Sequence, residues 1–99
     1  MIRKYFDNAP ENSVEYYNRI HSFILNEFCA ESFDSKQGMI YHIHPQDRED
    51  KAATLFRLGN NYQVCSESYT KIREIFIFLK SNVIKGLEEV TEEAFSGVA

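Results

Sequence analysis

Tryptophan is absent from these 99 residues, proline and cysteine occur twice each, and glycine occurs four times. Each scarcity excludes something. Four scattered glycines (Gly38, Gly59, Gly86, Gly97) cannot make a glycine-rich phosphate loop. Two cysteines, Cys29 and Cys65, are too few for the disulfide framework of a small secreted domain. Both are therefore read as reduced and buried, behaving as small hydrophobes. The longest unbroken apolar run is Ile75-Phe76-Ile77-Phe78-Leu79, far short of the ~20 residues that cross a bilayer. Met1–Asp7 turns polar too soon for a secretory apolar region. The expectation is a cytoplasmic protein with no membrane segment.

A surplus of one charge is also missing over most of the chain. Residues 1–87 hold eleven acidic and eleven basic side chains, and the net charge of −4 comes from Glu88, Glu89, Glu92 and Glu93. No Lys/Arg stripe is present to neutralise a run of phosphates, so nucleic acid is not an expected partner. A DNA mimic would need its acids spread over the surface, and these are terminal. The terminal cluster suits either a basic partner surface or a solvated helix end.

Aromatic side chains, by contrast, are plentiful: eight Phe and six Tyr in a chain that is 43% hydrophobic. Phe supplies large apolar area to a short chain, and Tyr pairs an apolar body with a polar tip. The length fits one domain over 1–99, with Ser96–Ala99 expected as a loose tail.

The strongest periodic signal lies near the C-terminus. Tyr69, Ile72, Phe76, Leu79, Val83, Leu87 and Val90 follow the spacing of one helix face. Ile75, Ile77, Phe78 and Ile84 widen that face beyond what a surface helix needs. A second stripe, Val14, Tyr17, Ile20, Ile24 and Phe28, predicts a first helix over about 11–30, with Asp7-Asn8-Ala9-Pro10 as its start signal. Pro45-Gln46-Asp47 reads as the start of a short helix over 46–58, closed by Gly59-Asn60. The last helix is expected over 67–94. Gly86 and the acids after it oppose the helix dipole, so this helix either kinks near Gly86, with a new short segment from Leu87, or frays. Strand candidates are 39–44, 62–65 and 2–6. The predicted fold is a helix-rich α+β domain of three helices with a small sheet of two or three short strands; an all-α bundle is the alternative. The first and last helices are expected to pack together, burying Tyr17, Ile20, Ile24, Phe28, Ile72, Phe76, Leu79 and Val83.

Candidate chemistry is sparse. His42 and His44 fall two apart on a strand candidate, which places both imidazoles on one side, where they could reach one metal ion. His21, Asp47 and Glu49 are the nearest additional ligand types, but the spacing matches no specific metal motif. No local motif surrounds either cysteine, so no nucleophile is assigned. Gln46–Lys51 reads as a solvated helix start, with Asp47, Glu49 and Asp50 as secondary partner contacts. The sequence points to a small non-enzymatic interaction module without a cofactor: an inhibitor or immunity-type protein, an adaptor or chaperone, or a homodimer built on the last helix. Its candidate partner-binding residues are Glu88, Glu89, Glu92, Glu93, Ile77, Phe78 and Ile84. The runner-up is a metal-binding or metal-sensing protein using His42 and His44.

Overall fold

Alternation, and not a helical repeat, governs residues 53–58. In the computed structural model, which describes residues 1–7 and 14–91, Ala53 and Leu55 point inward and are buried, while Thr54 and Phe56 point the other way. The elements run β1 (Ile2–Asp7), α1 (Val14–Glu27), β2 (Ala30–Asp34), β3 (Met39–Ile43), β4 (Ala53–Leu58), β5 (Asn61–Ser66), α2 (Tyr69–Asn82) and β6 (Glu88–Val90). The strands form one antiparallel sheet in the order β2-β3-β4-β5-β1-β6.

The expected three-helix domain with a two- or three-strand sheet is therefore corrected, as is the all-α alternative. Among the described residues, two helices lie on one face of a six-stranded sheet. The predicted helix 46–58 is a loop followed by β4. Ala52, Leu55 and Phe56 have helical spacing, but a short apolar run fits both periods. Gly59-Asn60 closes a hairpin and not a helix: Gly59 takes φ +60° while Asn60 keeps a negative φ, the pattern of a type II′ turn. The predicted helix 67–94 ends at Asn82. There the Asn82 amide donates to the Phe78 carbonyl, and Ile84 N–H reaches back to the Leu79 carbonyl. The chain then turns through Gly86 and adds β6 beside β1. The start signal Asp7–Pro10 runs past Asp7 into residues outside those described, as do residues 11–13 and the tail 96–99.

A continuous core joins the inward sheet face to both helices. Ile20 and Ile24 of α1, Ile72, Ile75 and Leu79 of α2, and Phe6, Tyr41, Leu55, Tyr62 and Val64 of the sheet are all buried in it. Each such side chain contributes about 1.5–3 kcal/mol when fully removed from water. The Phe6 and Phe76 rings stack at 4.7 Å. His21 Nδ1 lies 2.7 Å from the buried Tyr41 hydroxyl, pinning α1 over β3. Of the side chains expected between the helices, Tyr17 is only half-buried and Tyr16 takes the inward place. The helices bury their stripes mainly against the sheet; they meet each other where Phe23 and Phe28 touch Phe78.

Candidate functional site

Three segments converge at one end of the helical layer: the C-terminal end of α1, the loop 44–52, and the first three turns of α2. Ser68 starts α2, its hydroxyl accepting from Lys71 N–H at 3.2 Å, as a helix N-cap should. From that start Lys71 is followed three and four residues on by Glu74 and Ile75, and each of these stands four or three before Phe78, which puts all of them on one side of the helix. They line a cleft of about 450 Å³. Its floor is apolar, formed by Phe28, Ile75 and Phe78. Its walls are acidic: Glu27 from α1, Asp47, Glu49 and Asp50 from the loop, and Glu74 from α2.

The loop owes its shape to two aspartates. Asp47 Oδ1 accepts from the Glu49 and Asp50 N–H groups, both at 2.9 Å. Asp50 accepts from the Gln46 and Lys51 N–H groups, again at 2.9 Å. Its Oδ2 also takes the Lys71 ammonium at 2.9 Å, and both side chains are largely withdrawn from water, at 18% and 8% exposed. Burial acts to raise the Asp50 carboxyl. The hydrogen bonds from Lys71, Gln46 and Lys51, with the Lys71 charge, outweigh it and hold this group below the ordinary carboxylate range. Among the described residues Lys71 is the one cation lining the cleft and is committed to Asp50, which leaves Glu27, Asp47, Glu49 and Glu74 exposed around the opening.

Beside the cleft is a half-open aromatic cluster. Phe23, Phe28 and Phe78 make mutual ring contacts at 5.6–6.2 Å. Phe78 remains 41% exposed and Ile77, next to it in sequence, 53%. The over-wide face of the last helix is thus largely accounted for by the chain's own core. Ile75 and Ile84 are fully buried, and the uncovered remainder is Ile77, Phe78 and Tyr69.

The other sequence candidates scatter. Ile84 is 0% exposed and offers a partner no surface. Glu89 lies 4.0 Å from Lys4 and 3.7 Å from Arg73, so it serves the β1–β6 corner. Glu88 is exposed opposite Asp7, while Glu92 and Glu93 lie outside the described residues. His42 is on the sheet face away from the helices, edge-on to Phe33 at 5.1 Å. His44 sits beyond the end of β3, 3.6 Å from Glu31. Among the described residues no group of three His, Cys, Asp or Glu side chains gathers as a metal site would require. Cys29 is exposed in the α1–β2 connection and Cys65 half-buried on β5.

Asp47, Glu49 and Asp50 were visible in sequence as an acidic run. Lys71, Glu27 and Glu74 were not, because nothing local signals that a loop 21 residues earlier will bury Lys71 against Asp50. No helix is long and apolar enough to span a membrane among the described residues. Comparison with protein families, curated proteins and solved structures finds no match to this chain.

Proposed function

We propose that this chain is a small non-enzymatic interaction module that binds a basic segment of a partner protein in the cleft between α1, the 44–52 loop and α2. The observation that carries the reading is that the described residues set five carboxylates against one ammonium around a floor of Phe28, Ile75 and Phe78. A lysine or arginine side chain matches that combination. Its stem packs on aromatic rings, its charge is attracted to their faces, and its head reaches the acidic walls. Ile77 and Phe78 extend the floor outward and suit an apolar neighbour of that basic residue, since interfaces combine an apolar anchor with a charged rim. Screening limits attraction between exposed charges to about 8–10 Å at physiological salt, so the acids select a ligand seated in the cleft more than one passing by.

The test is a titration with labelled peptides that alternate Arg or Lys with Leu or Phe, alongside twins in which Glu replaces each base. The basic peptide is expected to bind, with affinity falling as salt rises, and Glu74→Lys is expected to weaken it about tenfold, equivalent to ~1.4 kcal/mol. Equal binding of the basic and acidic peptides, or indifference to Glu74→Lys, removes the reading.

A further inference from the structure

The sheet face turned away from both helices carries a cross-strand row of its own. Following the register from one edge to the other, Phe33 lies opposite Ile40, Ile40 opposite Phe56, Phe56 opposite Gln63, Gln63 opposite Tyr5, and Tyr5 opposite Val90. Five of the six are aromatic or aliphatic, and the row crosses every strand. Phe33 stands 49% exposed, and the other five are only partly covered. Among the described residues, neither helix covers this face, because both pack their buried residues into the core on the other side. A solvated outer face is ordinarily polar, so a row that is apolar on five of its six strands calls for a cover.

We infer that this face is the interface of a homodimer, in which two copies of the chain pack sheet against sheet. Strands spaced ~4.8 Å apart with ~3.3 Å per residue make six strands of this length a panel of order 500 Å². Two such panels bury about 1,000 Å² even before side-chain relief is counted, which reaches the lower bound of a specific interface. On β1 the charges nearest the row are self-complementary. Arg3 and Asp7 flank Tyr5 on the same strand, two residues to either side. A two-fold axis lying along the apolar row therefore sets Arg3 of one copy over Asp7 of the other, as a symmetric interface requires. A single nucleic-acid strand, the other ligand that stacks on aromatic sheets, is disfavoured here. Arg3 is set against Asp7, Glu31 and Glu88 on this face, the wrong balance for phosphates.

The two cysteines make the test internal to one protein. Cys65 belongs to the neighbouring row of the same face, where Arg3 Nε and Gln63 Nε2 both point at its Sγ from 3.4 Å. Cys29 is exposed in the α1–β2 connection. Mass in solution is measured with loading from about 1 to 300 µM, bracketing the micromolar affinity that so modest an area supports. Maleimide alkylation of each cysteine is followed over the same range by peptide mass. The expected result is a rise toward twice the 11.6 kDa of one chain, with Cys65 alkylation slowing at least about fivefold while Cys29 holds its rate. Phe56→Glu and Phe33→Glu, each checked for an unchanged circular dichroism spectrum, are expected to keep the monomer mass and the fast Cys65 rate throughout. A monomer across the whole range overturns the inference. So does a dimer in which Cys65 stays fast, or one that both variants leave intact. The face lies opposite the cleft, so failure here and failure of the peptide titration are separate results.

Discussion

Replacing Asp50 by alanine strips the Lys71 ammonium of its counter-charge in a place where only 8% of its side chain meets water. Breaking a buried pair by removing one partner costs about 3–5 kcal/mol, because the remaining charge is left uncompensated. Asp50 is itself 18% exposed, so water relieves part of that cost and brings it to or just below the bottom of that range, about 2–3 kcal/mol. The Gln46 and Lys51 N–H groups lose their acceptor too, but at the surface, where water replaces it. For a domain of this size each kcal/mol moves the midpoint by about 4–8 °C, so Asp50→Ala is expected to lower Tm by roughly 10–20 °C. Lys71→Met behaves differently. It removes the buried charge, keeps an unbranched stem of similar length, and leaves Asp50 near enough to the surface to hydrate. Its expected cost is within about 1 kcal/mol, since apolar replacement of buried ions is often neutral. Thermal melts of both variants and of Asp50→Ala/Lys71→Met decide the matter. The double variant is expected to recover most of what Asp50→Ala loses. The reasoning is refuted if Lys71→Met is as harmful as Asp50→Ala, or if the double variant is merely the sum of the two.

Because the folded state holds the Asp50 carboxyl below its ordinary range, its contribution is fully present above the unfolded value near pH ~4 and is lost as pH falls through the lower folded value; the Tm gap between the native chain and Asp50→Ala should therefore narrow in melts taken below pH ~4. Gly38→Ala is expected to destabilise by about 1–3 kcal/mol, as overpacking does, because a Cβ there would collide with the Arg57 main-chain carbonyl; an unchanged urea midpoint would refute this. Gly59→Ala meets no atom within 4 Å and pays only for a positive φ, about 1–2 kcal/mol, so Gly59→Asn should cost less than Gly59→Ala in the same melts. Among the described residues the buried Tyr62 hydroxyl has no hydrogen-bond partner at ordinary geometry, and burial pushes its pKa well up, keeping it protonated. Tyr62→Phe is therefore expected to leave stability unchanged or raise it by up to about 1 kcal/mol, and a fall in Tm would contradict that.

Legibility in the sequence followed the strength of local signals. Three strands, β1, β3 and β5, occupy segments whose β-forming residues read as extended. β4 was hidden because Pro45-Gln46-Asp47 imitates a helix start and Leu55-Phe56 imitates a helix face; tertiary pairing on both edges then decided for the strand. β2 was hidden for another reason. As an edge strand with Glu31, Phe33 and Asp34 exposed, it needs little apolar content, so Ala30–Asp34 carries almost no periodicity. Four acids after Gly86 did signal trouble for a long helix, and the chain leaves the helix at Asn82. The apolar stripe of α2 is legible in the sequence as a face that has to be buried. How much of it the chain hides for itself could not be read, because that depends on a six-stranded sheet whose size the short strand signals concealed. The cleft shows the same limit: its acids are in plain view, whereas the burial of Lys71 is a property of how a distant loop folds back.

The position of β1 has a consequence for how the molecule is made. Strands β2 to β5 form a run of neighbours, each able to zip onto the last as it leaves the ribosome. β1 emerges before all of them, yet Ile2 meets Ser66 and Asp7 meets Asn61. Throughout the synthesis of the intervening segments, Ile2, Tyr5 and Phe6 travel with open main-chain donors and acceptors, the condition under which nascent strands clump together. Arg3, Lys4 and Asp7, interleaved with those three residues, put charge on the waiting segment and so keep it dispersed until its partner arrives.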